Sequence, residues 1–364
     1  MSHRLSRSLE QIRAALAAAG ETARERTGKS RARQAVEMML LRARGYSPDD
    51  YYTLRLYERA PGSADADGLM RRREFSRLRY RLNPQQAEVV PFNKWVSALY
   101  LETLGVRVPA CHGLYHRNRG ILRNGQRLSS ASDLALLLAR MPGGLVIKPI
   151  DGSHGRDVTV IVAYDAAHGR LKRADGTELA LDQLVGRLDE SADGWVVQER
   201  IVQHPALAAL HPQSVNTVRL VTLCGDDGVP AVIAGVLRIG TGNSEIDNTT
   251  GGGIVANVDL ATGRCGPAIS RYRVSEHVVH PQSGMQIVGF ELPYWAQVTS
   301  EIIRAHRLVP FPRTLGWDVA IEDRGPVILE INSDYYYNHL QLDGGSAAVG
   351  LLRETVQQNA APHA

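Results

Sequence analysis

Along the first part of the chain, Leu5, Leu9, Ile12 and Leu16 recur at steps of four, three and four. That spacing marks one face of a helix, predicted to end near Gly20. A second apolar cluster runs from Val36 to Leu41 and stops at Gly45. Ser47-Pro48-Asp49-Asp50 then reads as a helix start: Ser47 as cap, Pro48 at the first helical position, two acids in the first turn. Tyr51 through Leu56 would continue it. A further helix follows Asn93, carries Trp95, Leu99 and Leu101, and ends at Leu104-Gly105. Val106 to Pro109 reads as a short extended exit.

From about residue 140 the period shortens. Leu145–Lys148, Val158–Val162 and Trp195–Val197 read as strands, with a short helix over Leu179–Leu188. Val218–Leu223, Pro230–Arg238 and Gly253–Val258 read as three more, separated by Gly/Asp turns. Glu291–Arg307 has helical spacing. Gly316–Glu322 and Val327–Ile331 form an expected hairpin around Asp323-Arg-Gly325. No repeat is visible.

Composition adds bounds rather than chemistry. At 364 residues, 44% hydrophobic and 22% charged, the chain is an ordinary globular protein of two or three lobes. No apolar run is long enough to span a membrane. The basic start is interrupted by Glu10, unlike a secretory signal. Cys111, Cys224 and Cys265 are too scattered for a zinc site or a disulfide framework, which fits a reducing cytoplasm. The net charge of +4 is modest. The Arg71–Arg81 arginines have few aromatics among them, so nucleic acid is not the expected partner. Residues 1–85 carry no evident chemistry and read as a helical cap or partner surface. A homo-oligomer remains as open as a monomer.

Candidate chemistry lies further on. Lys148 ends a strand-like run and precedes Gly152-Ser153-His154-Gly155, a loop whose backbone N–H groups suit phosphate oxygens. A plain hairpin turn is the competing reading. Lys94 by itself reads as a surface lysine. The strongest feature is Asp318 followed by Glu330 and Asn332. Two residues apart on a strand, Glu330 and Asn332 share a face, and Asp318 on the partner strand can join them. Three oxygen donors of this kind suit Mg²⁺. A polar sheet face is the alternative, but Glu330 sits inside Val327–Ile331, where a carboxylate needs a partner.

Taken in order, these motifs resemble the ATP-grasp superfamily over roughly residues 85–345. The closest resemblance is to the sugar-transfer-associated ATP-grasp proteins. The resemblance implies an α+β ATP-grasp fold: a helical region over 1–85, then lobes over 86–200 and 201–364 that clasp ATP. It implies that Lys94 and Lys148 reach ATP phosphates, that Gly152, Ser153 and Gly155 cover them, and that Gln198-Glu199-Arg200-Ile201 reads adenine. Either Gln198 or Glu199 would face the base. Asp318, Glu330 and Asn332 match the metal triad. Arg219, Arg238 and Asn248 resemble the glutamate-ligase segments that hold an acyl-phosphate, a task suited to a planar guanidinium; an ion pair across the sheet is the other reading of Arg219. The implied activity is an ATP- and Mg²⁺-dependent ligase joining a small-molecule carboxylate to an amine. The rivals are a phosphotransferase using the same site and a non-catalytic nucleotide-binding partner protein. The chain departs from many relatives at Tyr335-Tyr336-Tyr337, which would either shape an acceptor pocket or pack.

Overall fold

The computed structural model describes residues 2–59, 68–151, 157–245, 247, 249–342 and 347–358. Two antiparallel sheets of seven strands form its frame. The first comprises β1 (Cys111–Tyr115), β2 (Ile121–Leu122), β3 (Leu145–Pro149), β4 (Thr159–Asp165), β5 (Arg170–Arg173), β6 (Glu178–Ala180) and β7 (Trp195–Glu199), in the order β2-β1-β7-β3-β4-β5-β6. The second comprises β8 (Thr217–Cys224), β9 (Pro230–Ile239), β10 (Ile254–Val258), β11 (Cys265–Ile269), β12 (Glu276–His277), β13 (Thr314–Glu322) and β14 (Gly325–Asn332), in the order β12-β11-β10-β9-β8-β13-β14.

Each sheet has its own apolar core. Helices Ala131–Ala139 and Leu181–Asp189 cover the first, burying Leu134, Leu138, Leu184 and Leu188 against Leu145, Ile161 and Val197. Helix Trp295–Leu308 covers the second, burying Val298 and Ile302 against Val218, Leu237 and Trp317. The β13–β14 hairpin closes through Asp323-Arg324, with Gly325 at φ +102° next to the turn. The helix after Asn93 runs from Lys94 to Thr103, and the Asn93 side chain accepts from the Trp95 and Val96 N–H groups.

Three helix ends differ from expectation. The first helix passes through Gly20 and runs on to Thr27, because glycine there makes room: a Cβ would overlap the Arg31 guanidinium and touch the Tyr52 hydroxyl. The helix capped by Ser47 ends at Thr53, since Arg55 turns left-handed at φ 51° before a 3₁₀ turn over Leu56–Glu58. The helix expected over Glu291–Arg307 starts at Trp295, after Tyr294 at φ 55°. The Val36–Leu41 cluster also faces unexpectedly. In helix Arg31–Ala43, Gln34, Glu37 and Leu41 are buried while Val36, Met39 and Leu40 are exposed. Lys29 Nζ and the Tyr51 hydroxyl each reach Glu37 at 2.9 Å, which satisfies the buried acid.

The N-terminal helices form a tyrosine-rich core of Tyr46, Tyr51, Tyr52 and Tyr57, and that core includes Tyr272 from beyond β11. The Arg71–Arg81 cluster lies on helix Arg72–Leu82 and its cap. Arg71 stacks on Tyr46, Arg72 pairs with Asp334 at 3.0 Å and Arg79 with Glu88 at 3.2 Å, so much of this charge is spent within the fold. Among the described residues no helix is long and apolar enough to cross a membrane.

Candidate active site

Strand register builds the site. Asp318 on β13 stands opposite Arg219 on β8 to one side and opposite Glu330 on β14 to the other. Neighbours in register share a face, so Arg219, Asp318 and Glu330 form a row across three strands. One step along, Thr217 on β8 stands opposite Arg238 on β9. This face is the floor of a cleft of about 690 Å³, walled by Val146, Lys148 and Val160 of the first sheet, by Val158 just before β4 and by Gln198–Gln203.

The charges interlock. Arg219 Nη2 donates to Asp318 Oδ2 at 2.8 Å, and its Nε donates to Oδ1. Arg238 Nη1 reaches the same carboxylate at 3.2 Å, and its Nη2 donates to Asp247 Oδ1 at 2.6 Å. Asp247 in turn accepts from the Thr217 N–H at 2.9 Å and from the Thr217 hydroxyl. Burial works to raise the Asp318 carboxyl, but the two guanidiniums overcome it and hold the group well below the usual carboxylate range. The ion-pair reading of Arg219 holds, and Arg238 shares the same carboxylate.

Lys148 Nζ donates to the Leu329 carbonyl at 3.2 Å. Burial pushes its ammonium down, while the Glu330 carboxylate draws it back up. Lys94 lies 3.3 Å from Glu330, but its stem lines a small neighbouring void with Ser97 and Leu101 rather than the main cleft. Gln198 is buried, with its amide reaching the Pro109 carbonyl at 3.5 Å. The Glu199 carboxylate accepts from the Ala110 N–H at 2.9 Å. Both side chains thus have protein partners at the 109–110 segment, and Ile201 supplies an apolar contact beside Ala320 and Val327. Gly152, Ser153, Gly155 and Asn248 lie outside the described residues.

Two carboxylates and an amide are the donor types that suit a hard cation. Glu330 and Asn332 share a face of β14; Asn332 Nδ2 is buried without a hydrogen-bond partner, whereas both oxygens of Asp318 accept from Arg219 and Arg238. Among the described residues no group of three His, Cys, Asp or Glu gathers into a metal set. The third protein oxygen would come from the Asn332 amide, with substrate phosphates completing the sphere, as Mg²⁺ prefers.

Other cleft residues escape the sequence motifs. Asp49 and Thr53, in the supposedly inert N-terminal region, line the cleft together with Arg271, Tyr336 and His339. The three tyrosines divide. Tyr335 and Tyr337 pack on Phe75 at 5.0 and 5.8 Å, whereas Tyr336 lines the cleft and donates its hydroxyl to Asp49. The first-turn acids at 49–50 were the available local signal, but they read equally well as helix capping.

The chain belongs to the family described as sugar-transfer associated ATP-grasp, whose model matches residues 72–357. Its fold is accordingly the ATP-grasp fold, preceded by a helical N-terminal region. No curated protein matches it. Among solved structures it is similar to the ATP-grasp ligase PsnB complexed with precursor peptide PsnA2 and AMPPNP, at 15% identity and TM-score 0.41, covering 77% of this chain and 63% of that one. It is also similar to D-alanine–D-alanine ligase from Bacillus anthracis, at 12% identity and TM-score 0.42, covering 76% and 71%. A third is the L-amino acid ligase from Bacillus licheniformis, at 13% identity and TM-score 0.40, covering 74% and 49%. The family match carries the fold assignment.

Proposed function

We propose that the protein is an ATP- and Mg²⁺-dependent ligase that joins a carboxylate to an amine through an acyl-phosphate, with the lobes 86–200 and 201–364 closing on the nucleotide. The observation that supports this most is the row Arg219–Asp318–Glu330, flanked by Arg238 and Lys148 in one cleft. Lys148, Arg219 and Arg238 stand there with the carboxylates of Asp247, Asp318 and Glu330, and Lys94 reaches Glu330 from the adjoining void.

Adenine would lie along the Gln198–Ile201 hinge, and Lys148 with the 152–155 loop would hold the phosphates. Mg²⁺, held by Asp318, Glu330 and Asn332, would supply charge neutralisation across the phosphates. A substrate carboxylate oxygen attacks the γ-phosphorus and ADP leaves. Arg219 and Arg238 hold the resulting acyl-phosphate by forked hydrogen bonds. The amine nitrogen then attacks the acyl carbon, phosphate departs and the nitrogen loses its proton. Positioning and fixed charge do the catalytic work.

The test is phosphate release from ATP and Mg²⁺ with pools of carboxylic acids and amines. Release is expected only with one acid pool and one amine pool together, and Glu330→Gln should lower it by at least a hundredfold with the fold intact by circular dichroism. ADP formed without free phosphate would indicate a phosphotransferase, and wild-type rates in Glu330→Gln would remove the metal assignment.

A further inference from the structure

The cross-strand rows do not stop at the arginines. Arg238 stands opposite Val255 on β10, and Val255 opposite Ile269 on β11. The cleft floor therefore passes from carboxylates through guanidiniums to aliphatic side chains. From β14 to β11 is five strand spacings, about 24 Å along a flat sheet. Val236, Val255 and Ile269 join Leu342 in one apolar cluster. A triphosphate with its cation gains nothing from such a surface, because it is hydrated charge.

At the far end the chain turns through Ser270-Arg271-Tyr272-Arg273. Tyr272 and Arg273 adopt φ 56° and 52°, unusual for consecutive non-glycine residues and a form of strain that functional sites retain. The turn is held from three sides. Arg273 donates to the Leu342 carbonyl at 3.1 Å, to the Thr53 carbonyl at 3.4 Å and to Glu276 at 2.6 Å. Tyr272 is buried in the N-terminal tyrosine core. Arg271 is thus carried on a fixed turn, its guanidinium 4.8 Å over the Tyr272 ring, and it lines the cleft. Arg219 and Arg238 are met by carboxylates, and Arg200 by the Gly143 carbonyl at 2.9 Å. Arg271 forms no ion pair with any described carboxylate, although Asp49 acts on it through space.

We propose that this end of the cleft is a co-substrate subsite for a molecule carrying an anionic group, a carboxylate or a phosphate ester, on an apolar stem. The anion sits on Arg271, the stem lies over Val255, Ile269 and Leu342, and the other end reaches Arg219 and Arg238. The inference rests on the two-substrate ligase reading for the word co-substrate. The N-terminal helices become part of the binding machinery, since Asp49 and Thr53 form the adjoining wall and the tyrosine core anchors the turn.

The test is calorimetric titration of glutarate, glycerol 3-phosphate and uncharged glycerol into the full-length protein saturated with AMPPNP and Mg²⁺. Glutarate, glycerol 3-phosphate or both should bind, and glycerol should not. Arg271→Gln should weaken anion binding by at least tenfold, the loss of a charge-assisted contact, while Arg271→Lys recovers part of it. AMPPNP affinity should stay unchanged in both variants, so that failure here is distinguishable from failure of the nucleotide site. Stronger binding of glutarate assigns a carboxylate, and stronger binding of glycerol 3-phosphate a phosphate ester. No anion binding to the wild type, or equal binding by Arg271→Gln, overturns the proposal. As a second readout, phenylglyoxal should label Arg271, detected by peptide mass spectrometry, and the tighter-binding anion should protect it. Labelling unaffected by saturating anion overturns the proposal as well.

Discussion

His339 shows how strongly the site acts on one residue. Its ring packs edge-on to Tyr336 at 5.0 Å, and its buried Nδ1 has no hydrogen-bond partner. Burial, then the charges of Arg219 and Arg238, push the imidazole down to about 3, with Asp318 pulling weakly the other way. An unfolded chain takes up that proton near the ordinary 6.5. Between about pH 6.5 and pH 3 the unfolded state therefore binds one more proton than the native state. Stability from this group is complete above that window and is lost as pH falls through it. His339→Gln, which cannot titrate, should show a shallower decline of Tm between pH 7 and pH 4 than the wild type, measured by differential scanning fluorimetry. Equal slopes would mean that His339 is protonated in the folded protein. Neither this residue nor Arg271 stands in a local motif. Each acquires its character from side chains far away in the chain, which is why the sequence is silent on both.

At the level of elements, local patterns were readable where a strand or helix carries its own signal. The capped helix from Lys94, the Ser47 capping box and the two-residue turn at Asp323-Arg324 all announce themselves in adjacent residues. Strand β1 does not. Its Cys111-His112-Gly113 run lacks β-branched residues, and its place is set by pairing with β7. Likewise Gly20 looks like a helix end, yet it serves close packing with Arg31. The placement of Asp318 between Arg219 and Glu330 is a register effect, and register is a tertiary property. It has a consequence for Arg238, whose fork spans Asp247 and Asp318. Arg238→Lys keeps the charge that these buried acids need, but a single ammonium cannot reproduce the fork. Product formation should fall by roughly tenfold or more while nucleotide affinity, measured by calorimetry, holds, because the lost contact matters chiefly in the transition state. Equal losses in both would make Arg238 a nucleotide ligand only.

Across the whole molecule, the second sheet presents a graded floor: carboxylates and an amide on β13 and β14, arginines on β8 and β9, aliphatics on β10 and β11. The first sheet and residues 198–201 cover one end, and the N-terminal helices wall the other. The motifs in residues 85–345 point to the first end. The second stayed hidden because its wall is assembled from Asp49, Arg271 and Tyr336, which meet only when the N-terminal core closes on Tyr272. Two ends of one cleft, joined by paired guanidiniums, suit a reaction in which a phosphorylated carboxylate is made at the junction and attacked there. The most direct measurement uses the acid identified by phosphate release, labelled with ¹⁸O in its carboxylate, together with its amine, ATP and Mg²⁺. If the acyl-phosphate forms, one carboxylate oxygen leaves with the phosphate, so the released phosphate should carry one ¹⁸O per product formed, read by mass spectrometry. Unlabelled phosphate at full product yield would contradict the account.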